Sequence, residues 1–440
     1  MGNTDSVSML DLYAKSESIS KAEKSAGKSL ILKGWIYRKR SSGGKLFAII
    51  RDSTGIMQCV VDKSIVNEKQ WSDIDKAHLE SSVIIKGTVR QDKRAPGGAE
   101  IDVKELRVVH SGTEFPITEY QSPEFLLDVR HLWLRSQRMR FIMQARSYFL
   151  RYLREYLDKE GFYEITPPVL TTIGGETGAN LFEVQYFDRK VYLTESSQFY
   201  AEAMEFSLGK VYSFVPSFRA EKSRTLKHLA EFWQVEPDMI YYTNEMSMRL
   251  QEELVSYIAN RIAKHEDIME GLKVDAGQLM KVRPPFKRIS YGDAIKLLNE
   301  RGSQIKWGMD FGMGEEKLLT EGEDKPIFVH SWPKEIKPFY MPINEDGKTA
   351  ECSDMLAPDG HGEIIGGGGR EWKIDKLLAR MREFKLDVRK YQWYIDLRRY
   401  GSVPHSGFGI GVERTIKWML NLEHIRDAIP FPRLINRLTP

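Results

Sequence analysis

Two widely separated stretches, Ser217-Phe218-Arg219-Ala220-Glu221 and Gly409-Ile410-Gly411-Val412-Glu413-Arg414, each set one arginine beside residues suited to holding a nucleotide. A guanidinium is a planar fork that bonds phosphate oxygens bidentately and stays charged, so a pair of them can neutralise a phosphoryl centre during transfer. No P-loop accompanies them, so the chemistry they suggest is that of ATP held by other means. Arg219 opens a segment, 218–236, that reads as two extended runs around a polar, basic turn at 222–228. Arg414 starts a helix whose Ile416, Met419, Leu420 and Leu422 follow a 3.6-residue period.

A proline-ended segment upstream, Gly161-Phe162-Tyr163-Glu164-Ile165-Thr166-Pro167, completes an ordered set. Together the three pieces resemble motifs 1, 2 and 3 of class II aminoacyl-tRNA synthetases. The stretches Arg130-His131-Leu132-Trp133-Leu134-Arg135, Phe218-Arg219-Ala220-Glu221, Gly366-Gly367-Gly368 and Pro404-His405-Ser406-Gly407 are similar to the aspartyl/asparaginyl subgroup, and the resemblance covers nearly the whole chain.

That resemblance implies activation of an amino acid by attack of its carboxylate on the α-phosphate of ATP, then transfer to a tRNA. Arg219 would bridge the α-phosphate and the amino-acid carboxylate, and Arg414 would hold the γ-phosphate. Glu221 would accept the adenine amino group, Phe232 would stack beneath the purine, and His228 would add a phosphate contact. Asp354 and Glu363 look like the carboxylates that hold Mg²⁺ against the phosphates. Hard oxygen ligands combined with phosphate oxygens are what this ion prefers.

The amino-acid pocket decides the substrate. By resemblance, Arg370 receives the substrate side chain, Ser196, Gln198 and Glu236 contact the α-ammonium, Glu176 sits on a loop that closes over the substrate, and His405 also lines the pocket. Aspartyl enzymes generally carry lysine after Ser-Pro-Gln-Leu-Tyr, whereas this chain reads Ser196-Ser197-Gln198-Phe199-Tyr200-Ala201. A β-carboxylate left short of a cation in a dry pocket is costly. A neutral amide needs one donor and one acceptor; Arg370 is the candidate donor and Glu231 the candidate acceptor, with Glu202 and Glu236 close in sequence as other carboxylates. Asparagine is therefore the expected substrate. Two alternatives remain open: an aspartyl enzyme, discriminating or not, and a paralogue that makes free asparagine through aspartyl-adenylate. A catalytically silent homologue is disfavoured by the intact Arg219, Glu221, Glu363 and Arg414.

The elements that must position these residues form an α+β chain. From Ser29 onward short strands alternate with turns: 30–37, a Gly43-Gly44 turn, 47–51, a turn at 52–55, 56–61, a polar and helical stretch at 67–80, 82–90, a loop at 95–98, and 101–109. This pattern suggests a five-stranded OB-type barrel. Phe47 and Gln58 stand where the subgroup holds the middle anticodon uridine by stacking and an amide. The 94–100 loop, ending at Glu100, is a further candidate anticodon contact. The expected domains are 1–110, an anticodon-binding barrel with a short N-terminal arm; 111–134, a hinge; and 135–440, a class II catalytic domain with a mostly antiparallel sheet flanked by helices. Residues 135–160 read as an amphipathic helix with Phe141, Ala145 and Phe149 on one face; the resemblance assigns it, with the Pro167 segment, to a homodimer interface. Gly366 to Gly369, flanked by Ile364-Ile365 and Arg370, suggest a close backbone approach to a ligand.

Composition fits this reading without producing it. The chain has 440 residues, 65 Lys+Arg against 62 Asp+Glu, and a net charge of +3. The first 110 residues carry 19 basic against 14 acidic side chains, a balance of +5, so the remainder stands at −2. A basic N-terminal module suits docking a polyanion such as tRNA. The two cysteines, Cys59 and Cys352, lie far apart with no CxxC or Cys/His cluster, which argues against a disulfide framework or a structural zinc site. No signal-peptide core and no apolar run of spanning length is seen, so a cytoplasmic protein without a membrane partner is expected.

Overall fold

The structure, a computed structural model, describes residues 15–173, 181–221 and 228–440. Glu176 and most of the basic turn at 222–228 lie outside the described residues. The chain divides into two compact units, 1–126 and 127–440.

In the first unit, β1 (Ser29–Ser42), β2 (Lys45–Arg51), β3 (Ile56–Asp62), β4 (Ser82–Gln91) and β5 (Ala99–His110) close a barrel in the order β1-β2-β3-β5-β4. Strand alternation sends Leu46, Ala48, Ile50, Met57, Cys59 and Val61 inward, where none is exposed. The β1–β2 turn needs positive φ at two successive positions, and Gly43 and Gly44 supply 57° and 77°. The N-terminal arm is less detached than its polar composition suggests. A short helix, Ile19–Ala22, buries both end residues in the barrel core, and the Ile19 N–H donates to Asp52 Oδ2 at 2.9 Å.

The second unit is built on an eight-stranded sheet of order β12-β13-β14-β15-β16-β11-β10-β6. Its strands are β6 (Tyr163–Ile165), β10 (Lys210–Phe218), β11 (Glu231–Ile240), β12 (Lys287–Ser290), β13 (Ile327–His330), β14 (Cys352–Ala357), β15 (Gly362–Arg370) and β16 (His405–Gly411); β7 (Leu170–Thr171), β8 (Glu183–Tyr186) and β9 (Arg189–Leu193) form a separate small sheet. Pairing is antiparallel except at β10–β6 and β12–β13.

Helices α1 (Gln137–Lys159) and α2 (Asn244–Ile262) share one core with one face of this sheet, through Ile142, Phe149, Leu153, Leu254 and Ile258 against Val235, Met239, Ile365 and Ile410. The Ser136 side chain caps α1 by accepting from Met139 N–H, and Gly161 at φ 80° follows its end. Opposite, Phe199 on a third helix, Gln198–Leu208, packs with Tyr340, Tyr391 and Tyr394 in a second core.

The latter part of the expected hinge is fixed structure. Helices Pro123–Asp128 and Arg130–Trp133 occupy it, and Arg130, 1% exposed, donates to the carbonyls of Arg426, Ile429 and Pro430. A buried guanidinium holding three backbone acceptors fixes Arg130–Trp133 within the second unit. Both cysteines are free and buried.

Candidate active site

Strand β11 is the spine of the site. With a side-chain period of two, Phe232, Gln234, Glu236 and Asp238 share one face, while Trp233, Val235 and Met239 turn to the core. Beneath them β16 runs antiparallel, and its glycines leave the room they need. A side chain at Gly409 would meet Gln234 Nε2 at 3.1 Å, and one at Gly407 would meet Asp238 Oδ1 at 2.0 Å and Arg370 Nη2 at 2.7 Å.

At one end of this face lies a cleft of about 320 Å³ lined by Arg219, Glu221, His228, Phe232, Glu363 and Arg414, among others. The structure therefore brings together every residue the sequence assigns to ATP. The Arg219 guanidinium lies 5.2 Å from the Phe232 ring centroid. Arg414 Nη1 donates to Glu363 Oε2 at 3.1 Å and to the Glu363 carbonyl at 3.2 Å.

Arg414 is aimed by its neighbour. Buried Glu413 pairs with Arg146 of α1 at 2.7 Å and accepts from the Trp233 N–H at 2.9 Å, which fixes the start of the helix Val412–Met419.

Asp354 and Glu363 converge over Gly366. A Cβ there would lie 2.8 Å from Glu363 Oε1 and 3.4 Å from Asp354 Oδ1. The second oxygen of each carboxylate is engaged elsewhere: Asp354 Oδ2 accepts from Lys337 Nζ at 2.6 Å, and Glu363 Oε2 accepts from Arg414. Burial pushes the Asp354 carboxyl up to about 7, with Glu363 adding to the push and Lys337 opposing it. Burial acts on Glu363 too, but Arg414, Lys337 and Arg219 hold it below the usual carboxylate range. Two hard oxygens facing one space, next to a cationic cleft, fit a magnesium ion that takes its remaining ligands from phosphate and water. Among the described residues no group of three or more acidic, histidine or cysteine side chains forms a complete cage.

Only part of the glycine run is explained by ligand approach. Side chains at Gly367 and Gly368 would collide with the backbones of β16 and β14, at 2.6 Å from the Gly407 carbonyl oxygen and 2.5 Å from that of Glu351. Those two serve sheet packing. Gly366 alone faces the acid pair, and Gly366→Ala is expected to raise the KM for ATP by about 10-fold, since overpacking a fitted space costs about 1–3 kcal/mol. Amino-acid activation measured against ATP concentration checks this.

Further along β11, Ser196 Oγ donates to Glu236 Oε1 at 2.6 Å and the Ser197 N–H to Oε2 at 2.7 Å. Arg370, 4% exposed at the end of β15, pairs with Asp238 at 3.2 Å and has its Nε 3.8 Å from Glu202 Oε1.

The remaining pocket candidates fall in different places. Glu231 belongs to the face of β11 opposite Glu236 and Asp238, so strand alternation removes it as the amide acceptor. His405, 2% exposed, braces the pocket from behind, with Nε2 3.2 Å from Glu202 Oε2 and Nδ1 2.7 Å from the Val403 carbonyl oxygen. The Ala201 side chain packs in a small apolar cluster with Ile165 and Val211. Gln198, also buried, donates its amide to Glu202 at 2.7 Å.

Several functional-looking residues had escaped the sequence reading. Asp238 continues the β11 alternation that already contained Phe232 and Glu236, and Glu205 extends the helical i, i+4, i+7 stripe begun by Gln198 and Glu202, so a signal existed for these. Nothing local marks Lys337 or Arg398, which depend on tertiary contacts.

On the barrel, Phe47 is half-buried on the outer face with the Arg40 guanidinium 5.0 Å from its ring centroid. Gln58 lies on the same outer face and donates its amide to Glu100 Oε2 at 2.6 Å. Glu100 itself is 1% exposed, pairs with Arg90 and holds the Gln58 amide.

Residues 122–435 match the family of tRNA synthetases class II (D, K and N), and residues 30–109 match the OB-fold nucleic acid binding domain. The chain belongs to the class II tRNA synthetases. It is 48% identical over 416 residues to the asparagine–tRNA ligase of Thermococcus gammatolerans, covering 94% of this chain and 96% of that one. The crystal structure of the Pyrococcus horikoshii asparaginyl-tRNA synthetase complexed with asparaginyl-adenylate is 47% identical, with a TM-score of 0.94 over 97% of this chain and 100% of the other. The aspartyl-tRNA synthetase of Entamoeba histolytica is more distant, at 25% identity and a TM-score of 0.83 over 97% and 93% of the two chains. Membership of the class II synthetases accords with the mostly antiparallel sheet and with a sequence that carries no P-loop.

Proposed function

We infer that this chain ligates asparagine to its tRNA in two steps, through asparaginyl-adenylate. The observation that carries this reading is the order of side chains along one face of β11: Phe232 beside the arginine cleft, then Gln234, Glu236, and Asp238 paired to Arg370. An aminoacyl-adenylate is a linear molecule with adenine at one end and the amino-acid side chain at the other, and it maps onto that row. The family match and the similarity to asparaginyl enzymes at 44–48% identity supply the substrate class.

In the first step an asparagine carboxylate oxygen attacks the α-phosphorus of ATP, the α–β bridging P–O bond breaks, and pyrophosphate leaves. Arg219 holds the attacking carboxylate and the α-phosphate together and stabilises the charge that builds at phosphorus. Arg414 secures the far end of the triphosphate, Phe232 and Glu221 seat the adenine, and His228 adds a phosphate contact. Asp354 and Glu363 would hold Mg²⁺, which when bound neutralises phosphate charge. Ser196 and Gln198 orient the α-ammonium, and Arg370 donates to the side-chain oxygen. Glu236, the least enclosed carboxylate on the site face of β11, takes the amide-acceptor role that Glu231 cannot fill. In the second step a terminal hydroxyl of the tRNA attacks the acyl carbon and AMP leaves.

ATP–pyrophosphate exchange with asparagine and aspartate side by side tests the reading. Exchange supported by aspartate alone would replace it with the aspartyl or asparagine-forming alternative.

The barrel holds the anticodon, with Phe47 as a stacking platform and Gln58 as the base-edge reader. Because one Gln58 N–H is held by Glu100, its carbonyl oxygen and second N–H are presented for a uracil edge. Phe47→Ala and Gln58→Ala should each lower aminoacylation of asparagine tRNA by about 10-fold or more. Adenylate formation should stay near wild type, since neither residue shares an element with the ATP cleft. Equal loss in both half-reactions would show that these residues only support the barrel.

A second copy of the chain would pair along the β6 edge of the large sheet, where Tyr163 is 58% exposed near the exposed Met204 and Leu208 of the Gln198–Leu208 helix. No helix of the described residues is long and apolar enough to cross a membrane.

A further inference from the structure

Behind Arg370 lies a buried charged set that no motif assigns. Glu202, with no exposed surface, accepts from Gln198 Nε2 at 2.7 Å, Tyr394 Oη at 2.9 Å and Arg398 Nη2 at 2.6 Å, and also faces Arg370 Nε at 3.8 Å. On its other side, Arg370 Nη2 pairs with Asp238 Oδ1 at 3.2 Å. Arg370 is thus held between two carboxylates, and one of them also answers Arg398.

We propose that Glu202 and Asp238 are specificity-determining positioning residues. By offsetting the charge of Arg370 and Arg398, Glu202 leaves Arg370, held in place by Asp238, as a hydrogen-bond donor for a neutral amide and weakens the net cation a β-carboxylate requires. The inference rests on the reading of Arg370 as the receiver of the asparagine side chain.

Three features support it. The first is that Glu202 is the anion set against both arginines, with Arg398 Nη2 at 2.6 Å and Arg370 Nε at 3.8 Å. Against the upward push of burial, Arg398 and Arg370 hold Glu202 well below the carboxylate range. Asp238 and Glu205 are instead driven well above theirs, first by burial, with the neighbouring acids adding to the push.

Second, His405 adds no charge. Burial lowers its pKa, its Nδ1–H donates to the Val403 carbonyl oxygen, and Nε2 accepts from Arg398 at 3.3 Å. Third, the Arg370–Asp238 pair fills the space above Gly407, where a Cβ would lie 2.0 Å from Asp238 Oδ1. The arginine is therefore locked against its counter-ion and cannot swing away from it. In a site this dry, one uncompensated charge shifts the preference between a carboxylate and its isosteric amide by about 10-fold or more.

The test is ATP–pyrophosphate exchange by the full chain, wild type and Glu202→Gln, with asparagine and aspartate over a range of concentrations. The expected result is a rise of about 10-fold or more in the aspartate-to-asparagine ratio of kcat/KM. It should be carried by a lower KM for aspartate and a higher KM for asparagine, with kcat changing less. A residue that merely supports the fold would depress kcat for both substrates and leave the ratio alone, and an unchanged ratio in folded Glu202→Gln overturns the proposal. If that variant is not recovered folded, Arg398→Gln, which removes the cation that shares Glu202 with Arg370, is expected to lower the ratio instead, and an unchanged ratio in it is equally decisive. A wild-type chain that fails to activate asparagine would sink the functional reading itself, and that result appears before any variant is made.

Discussion

Arg219→Ala is expected to lower asparagine-dependent ATP–pyrophosphate exchange by about 10²–10³-fold, the scale on which one preorganised charge contact to a transition state is lost. The loss should fall on kcat more than on the KM for asparagine, because the contact matters most while charge builds at phosphorus. Arg219 and Arg414 line one cleft but are held differently. Arg414 is bonded to Glu363, whereas Arg219 lies over the Phe232 ring at 5.2 Å. Arg219→Lys keeps the charge and gives up the fork, so it should recover only part of the rate. Exchange at wild-type rates in the alanine variant would remove Arg219 from the reaction and with it the mapping of the adenylate along β11.

How much of this was legible in the sequence depends on whether a residue's role follows from its own element. The barrel was readable because alternation and turn chemistry are local: Gly43-Gly44 makes its turn, and Leu46, Ala48 and Ile50 point inward as a period of two requires. The ATP residues were readable because each lies within a contiguous motif. Glu231 went astray although the needed rule was also local, since one step along a strand reverses the face. His405 and Glu100 are harder to read for another reason. Both are buried against residues proposed to meet a ligand, and sequence proximity does not separate touching a substrate from bracing what touches it. Lys337 and Arg398 were invisible, because their partners Asp354 and Glu202 are brought to them only by the fold.

The substrate pocket should show the largest effect of all: wild-type protein is expected to reject aspartate relative to asparagine by about 10⁴-fold, since a site built to hydrogen-bond one polar group leaves buried partners mismatched when an analogue enters. Ala201 contributes through what it lacks. It lies one turn after Ser197, whose N–H binds Glu236, and side chains on a helix lean toward its N-terminus. A lysine at 201 would therefore carry its ammonium toward Glu236, the carboxylate proposed to accept the substrate amide. It would also crowd Ile165 and Val211, in contact with which Ala201 is wholly buried, at a cost of about 1–3 kcal/mol in stability. Ala201→Lys is thus expected to lower kcat/KM for asparagine by about 10²-fold, the scale of a lost preorganised contact, and to raise the aspartate-to-asparagine ratio. Thermal melting separates the packing cost from the change in charge. Glu231→Gln, on the opposite face of β11, should leave that ratio where it is. The pocket argument fails if the lysine variant activates asparagine as well as wild type does, or if wild type activates aspartate as efficiently as asparagine, because in either case the charge facing the substrate side chain would not be what decides between them.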